Sequence, residues 1–199
     1  MKTALLAATV AAAAIAGGAT AASAAPIYAT SANIVSDGAG RSSANNRDVL
    51  SNAFGERDGK FFELGFGGIV DFFFGDPTGQ KFISPGKVVE VTFGNVTRFN
   101  ESVDIFGLMN GVVSSERIAR VDNANAQANT NGRAFTFEGT FDGLRFVDTS
   151  TARNPDGVTG GFDVDSISVS PVPVPAAGLL LIAGLGGLAA TRHRKAAAA

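Results

Sequence analysis

The chain of 199 residues lacks several residue types on which common enzyme mechanisms depend. It has no cysteine, so disulfides and thiolate chemistry are excluded, and its stability must come from core packing or from a bound metal. Its one histidine, His193, lies near the C-terminus, which excludes Ser-His-Asp hydrolysis and histidine-ligated zinc for the rest of the chain. Tryptophan is absent and Tyr28 is the only tyrosine, so the aromatic side chains that usually stack on sugars are almost missing. Carboxylates remain as the catalytic groups.

The N-terminus has the pattern of a secretory signal peptide. Lys2 precedes an apolar, alanine-rich run over residues 4–16, and Ala22, Ser23 and Ala24 form a small-x-small cleavage site. We therefore predict that residues 1–24 are a signal peptide and that the chain is exported.

The C-terminus has the pattern of a membrane anchor over residues 171–199. Its apolar run, residues 176–190, is shorter than the roughly 20 residues that a membrane-spanning helix needs. The flanks support the assignment, because prolines mark the start of the helix and basic residues hold its end on the cytoplasmic side. We call the basic residues the basic tail: Arg192, Arg194 and Lys195. The pattern predicts a single transmembrane helix, and an ordinary anchor without processing is the alternative.

A family resemblance rests on the order of three features in this segment. A proline motif comes first, a helix rich in leucine and glycine follows, and the basic tail ends it; the motif is Val172, Pro173, Val174, Pro175 and Ala176. This order resembles the PEP-CTERM sorting signal of Gram-negative bacteria in its VPLPA-like variant, with Val174 in place of the usual leucine. The resemblance implies Sec-type export and transient anchoring in the inner membrane. Processing by exosortase, a membrane protease-transpeptidase, would then leave the protein at the cell surface or outside the cell.

The segment between these ends, residues 25–170, is called the body. At about 145 residues it is long enough for one domain that buries roughly two-thirds of its unfolded surface. It has 12 lysines and arginines against all 18 aspartates and glutamates, a formal charge of −6. Such a charge disfavours nucleic acid as a partner.

Short apolar stretches in the body alternate with period two between turn residues. Lys87 to Phe93 shows the pattern best, with Val89, Val91 and Phe93 expected to face the core. Nine strands are predicted in this way, at residues 28–35, 61–64, 69–74, 87–93, 103–108, 117–121, 134–137, 144–147 and 162–169. The fold class expected is all-β, a jelly-roll-like β-sandwich.

The body also resembles the galactose-binding-like jelly rolls of exported bacterial surface proteins. The residues that carry the resemblance are 52–61 and 64–68, with the closing strand at 161–167. The resemblance implies that an early loop and the last strand lie together, where members of that superfamily often hold a structural calcium.

The closing strand contains a conflict between pattern and chemistry. Strict alternation places Asp163 and Asp165 on the same face as Ile167 and Val169, which are expected in the core. Two uncompensated buried carboxylates would cost several kcal/mol each. A calcium ion bound by Asp163, Asp165 and Asp58 would compensate them. The alternatives are a bulge that turns both aspartates to solvent, or a salt bridge with Arg57 or Arg145.

Two functions from different classes fit these features. The first is a non-enzymatic surface or extracellular-matrix protein, a binding or structural module associated with extracellular polysaccharide. The second is a carboxylate-dependent polysaccharide hydrolase, for which Glu63, Glu90, Glu101 and Asp104 are the candidate acids.

A further carboxylate, Asp71, lies in the most apolar window of the body. Alternation there puts Ile69, Asp71 and Phe73 on one face of a central strand.

Overall fold

The computed structural model describes residues 25–75, 81–90, 101–122, 132–151 and 160–172. Two short 3₁₀ turns, Ala44–Asn46 and Leu50–Ala53, lie between the first two strands. The nine strands are β1 Ile27–Ser36, β2 Phe62–Glu63, β3 Ile69–Phe74, β4 Phe82–Glu90, β5 Ser102–Met109, β6 Val112–Asp122, β7 Arg133–Phe135, β8 Gly143–Asp148 and β9 Asp163–Pro171. Each of the nine predicted strands overlaps one of them, which confirms the all-β class.

The strands form two antiparallel layers that share β1. The order in one layer is β6-β5-β8-β3-β1, and in the other it is β1-β9-β4-β7, with β2 also paired to β9. β1 joins the layers because its first residues pair with β9 and the remainder pairs with β3 across a register shift after Ala29. The strand β6 is therefore at the edge of one layer, and β7 is at the edge of the other.

Phenylalanine fills the space between the layers. Phe74 of β3 meets Phe82 of β4 edge to face with ring centroids 4.8 Å apart, and Phe72 meets Phe146 in the same way at 5.1 Å. Edge-to-face pairs at these distances add about 0.5–1.5 kcal/mol each to the burial of their area. The core of the predicted sandwich is thus built largely from phenylalanine, the main aromatic residue of the chain.

The predicted alternation is confirmed in β3 and wrong in β4. Val70, Phe72 and Phe74 belong to the core cluster, as expected for a central strand. In β4, Val88 belongs to that cluster in place of Val89, which is buried outside it. The prediction also rested on Val91 and Phe93, which lie outside the described residues.

Candidate functional site

Asp165 is a buried carboxylate that the loop before β2 encloses. Its Oδ1 accepts the backbone N–H of Asp58 at 3.1 Å, and its Oδ2 accepts that of Gly59 at 3.0 Å. The Nε atom of Arg57 lies 3.7 Å from Oδ2. Burial raises the pKa of Asp165, and the two N–H donors oppose that shift. The early loop and the last strand therefore lie together, as the resemblance to galactose-binding-like jelly rolls implied.

A bulge in β9 resolves the conflict that the sequence presented. Between the pairs Val89–Ser166 and Glu90–Val164, the residue Asp165 is the extra one on β9. As a result both Val164 and Ile167 can contribute to the core. The expected bulge and the contact with Arg57 are confirmed, whereas exposure of the aspartates is wrong, since Asp163 and Asp165 are only 5% and 1% exposed.

The predicted calcium ligands meet only in part. The backbone of Asp58 binds Asp165, but the Asp58 carboxylate itself accepts the N–H of Lys60 at 2.9 Å and lies 3.2 Å from Lys60 Nζ. The N–H of Lys60 is the main cause of a lowered Asp58 pKa. Within the described ranges no three acidic or histidine side chains converge on one point. Calcium binding by Asp58, Asp163 and Asp165 stays a prediction, and these contacts compensate Asp165 without a metal.

Asp148, at the end of β8, is a second buried carboxylate, and it accepts hydrogen bonds from the backbone of distant segments. Its oxygens accept the N–H groups of Gly67 at 3.1 Å, Ser150 at 3.2 Å and Phe162 at 2.8 Å, and the Ser150 hydroxyl at 2.7 Å. It is 4% exposed, and this burial raises its pKa against the effect of the four donors. Asp148 therefore ties the loop after β2 to the start of β9.

Glu63 of β2 and Asp163 of β9 are direct cross-strand partners. Both are buried, at 2% and 5% exposure, and like charges at opposed positions are destabilising. Glu63 accepts the N–H of Ser42 at 2.5 Å, and Arg47 Nη1 lies 3.9 Å from its other oxygen. These contacts indicate that the Glu63 carboxylate holds the loop that contains Ser42 and Arg47 in place.

Two further carboxylates, Asp71 of β3 and Asp104 of β5, are bound by arginine. Asp71 accepts two hydrogen bonds from Arg145, from Nε at 2.7 Å and from Nη2 at 2.8 Å. Asp104 accepts two from Arg117 Nη1, both at 3.1 Å, and lies 3.6 Å from Arg120. Arg145 is thus the partner of Asp71, and the salt bridge with Asp165 that was weighed for it is wrong. Both carboxylates are neutralised locally.

An open cleft of about 160 Å³ lies where β6 ends and β7 begins. The described residues that line it are two arginines and one acidic residue, with the apolar residues Val121 and Ala134; the charged residues are Arg120, Asp122 and Arg133. In the part of the chain that the structure describes, Arg133 Nε and Nη2 are buried and have no hydrogen-bond acceptor. This cleft is the candidate binding site.

Two features of these sites escaped sequence reasoning. Asp148 followed by Ser150 is a local signal for an Asx turn, but nothing local points to its bonds with Gly67 and Phe162. Arg133 follows a polar stretch and is the first residue of a short strand, so nothing local in the sequence indicates its burial.

The sorting signal falls almost wholly outside the described residues. Val172 is described and is 41% exposed, whereas the rest of the proline motif, the apolar run and the basic tail lie beyond the described ranges, as does the predicted signal peptide. Among the helices of the described part, none has the length and hydropathy needed to cross a bilayer.

No family model and no curated protein matches this chain. The CBM32 module of AlyQ, solved in complex with 4,5-unsaturated mannuronic acid, is similar with a TM-score of 0.47 and 11% identity, over 73% of this chain and 97% of that one. A second CBM32 module, CpGH89CBM32-6 produced by Clostridium perfringens, has a TM-score of 0.42 and 15% identity, over 71% of this chain and 93% of that one. The ligand named for the AlyQ module is a property of that protein.

Proposed function

We propose that this chain is an exported, non-enzymatic surface or extracellular-matrix protein whose body is a polysaccharide-associated binding module. Its partners before maturation are the Sec-type export machinery, the inner membrane and an exosortase. The sorting part rests on the signal-peptide pattern and on the order of proline motif, apolar run and basic tail.

The observation that carries the binding part is the composition of the cleft between β6 and β7. Among the described residues it is lined by two guanidinium groups and one carboxylate, Asp122, whereas hydrolysis of a glycosidic bond ordinarily requires a pair of carboxylates. Asp71, Asp104, Asp148 and Asp165, all described, are engaged by arginines or backbone N–H groups. Side chains engaged in this way favour binding over acid-base catalysis.

Sorting is tested by intact-mass spectrometry of the protein recovered from the surface or medium of the producing cell. The expected mass lacks residues 1–24 and everything beyond about residue 175. Mature material that still carries the basic tail would contradict processing and leave a plain membrane anchor.

Polysaccharide association is tested by cosedimentation of the purified full chain with matrix polysaccharide from the same cells. We expect retention that falls as salt is raised, because the cleft is cationic while the body as a whole is acidic. Recovery of all the protein in the supernatant at low salt would contradict the binding function.

A further inference from the structure

We propose that Arg133 binds a carboxylate group of an acidic polysaccharide in the cleft between β6 and β7. The inference rests on the proposed polysaccharide association and names both the ligand class and the side chain that recognises it.

The position of Arg133 follows from the register of β7. Arg133 pairs with Val88 of β4, and Phe135 pairs with Gly86. Residues two apart lie on the same face of a strand, and Phe135 belongs to the core cluster. Arg133 therefore extends from the inward face of β7, at the side of the sandwich where both layers end and the cleft opens.

The two nitrogen atoms concerned form one edge of the guanidinium group. Nε and Nη2 present parallel N–H donors, the arrangement that matches the two oxygens of a carboxylate. Both atoms are buried, and no acceptor for either occurs among the described residues. A buried donor without an acceptor costs about 1–3 kcal/mol, so an oxygen ligand at this edge would recover free energy that the structure otherwise loses.

Another arginine of this chain, Arg145, binds a carboxylate through the same edge of its guanidinium group. Arg145 Nε and Nη2 donate to the two oxygens of Asp71 at 2.7 and 2.8 Å. That geometry is the one we assign to Arg133 with a uronate carboxylate in place of Asp71. Lysine presents a compact point charge and does not reproduce it.

Arg120 supplies the second positive charge of the cleft. Its side chain is 44% exposed, and its contacts are a hydrogen bond of 3.2 Å to Ser102 Oγ and an ion contact of 3.6 Å with Asp104. Long surface side chains held by such contacts rearrange at small cost. Because Nε and Nη2 of Arg133 are covered in this structure, we expect side chains at the cleft to rearrange as the carboxylate enters.

The test measures binding of oligogalacturonate and of its methyl ester to the full chain by isothermal titration calorimetry. Esterification removes the charge and keeps the sugar, so the ester should bind at least tenfold more weakly. Galacturonate monomer and acetate are the further arms, and both should bind more than tenfold more weakly than the oligomer. Monomer or acetate binding as tightly as the oligomer would overturn the assignment to a polysaccharide.

The diagnostic variant is Arg133→Lys, which keeps the charge and loses the paired donors. We expect about tenfold weaker binding of oligogalacturonate, the equivalent of one charge-assisted hydrogen bond. The matched control is Arg117→Lys, an exposed arginine of β6 that binds Asp104, and it should change affinity by less than twofold. Arg120→Gln is the second variant, expected to weaken binding severalfold, and serves if Arg133→Lys does not melt cooperatively.

The results distinguish a failure of the Arg133 site assignment from a failure of the proposed binding function. If matrix polysaccharide retains the wild-type chain but Arg133→Lys and Arg120→Gln bind oligogalacturonate like the wild type, the site assignment is overturned and the binding function stands. If neither matrix polysaccharide nor oligogalacturonate is bound, both fail.

Discussion

Removal of the Asp148 carboxylate should be among the most damaging single changes in the body. Asp148→Ala leaves three backbone N–H groups without their acceptor, those of Gly67, Ser150 and Phe162. A buried donor without an acceptor costs about 1–3 kcal/mol, and donors that water can reach cost less. With one donor bond buried and the others partly buried, we expect a loss of about 3 kcal/mol in the free energy of unfolding. For a chain of this size that is a fall of roughly 6–12 °C in Tm.

The assay is thermal and urea unfolding of the purified protein, followed by far-ultraviolet circular dichroism. The matched control is Asp142→Ala, which removes one exposed hydrogen bond, 2.8 Å from the N–H of Asn110. Water can replace that bond, so the control should lose less than about 1 kcal/mol. A loss for Asp148→Ala no greater than that of the control would refute the role assigned to Asp148.

The same variant gives a signed pH dependence. Burial raises the pKa of Asp148, so the folded chain holds the proton more tightly than the unfolded chain does. The stabilisation by Asp148 is therefore full below the unfolded pKa of about 3.9 and declines as pH rises through the folded value. The deficit of Asp148→Ala should be larger at about pH 4.5 than at pH 7. A deficit that grows toward pH 7 would contradict the direction of the shift.

Three further predictions concern the neighbouring glycine, calcium and sorting. Gly161→Ala should cost at least about 1 kcal/mol more than Gly55→Ala in the free energy of urea unfolding. Both glycines have positive φ, but only at Gly161 would a Cβ lie 2.7 Å from Asp148 Oδ2. Equal losses would show that this contact relaxes. Calcium at 100 times its Kd should add about 2.7 kcal/mol to the free energy of unfolding and raise Tm by roughly 4 °C or more. Most of this gain should be lost in Asp165→Asn. Equal melting midpoints with calcium and with chelator would exclude a structural metal. Replacing the basic tail by glutamates should lower surface yield in cell fractionation and leave the melting of the body unchanged, whereas an unchanged yield would show that those charges are not a topological signal.

Strand positions were predictable because alternation is a local signal. The two faces of β3 came directly from its sequence, because every second residue from Val70 to Phe74 is apolar and no register shift interrupts its ladder with β8. The phase of β4 could not be obtained in this way, because both Val88 and Val89 are buried and register shifts interrupt the ladder with β9 on either side of them. A bulge depends on the partner strand, and the sequence of one strand does not contain it.

The sequence predicts that Asp165 needs a compensating group, and the structure was required to identify that group. Two aspartates in an apolar strand demand compensation on physical grounds alone. The compensating groups, the N–H donors of Asp58 and Gly59, are 107 and 106 residues away in the chain and carry no side-chain signature. For the same reason the environment of Arg133 was not predictable, since it depends on where β6 ends relative to β7.

The buried carboxylates link distant segments of this chain, which has no cysteine and therefore no disulfide. Asp165 joins residues 107 apart and Asp148 joins residues 81 apart, each through bonds between a carboxylate and backbone N–H groups. Such bonds do not depend on the redox state of the surroundings, as disulfides do. They also satisfy the N–H groups of the loops that they hold, which leaves those loops with fewer donors for a ligand. Arg133, whose buried donors have no acceptor in the described part of the chain, is therefore the place where a ligand's oxygen atoms have most to add.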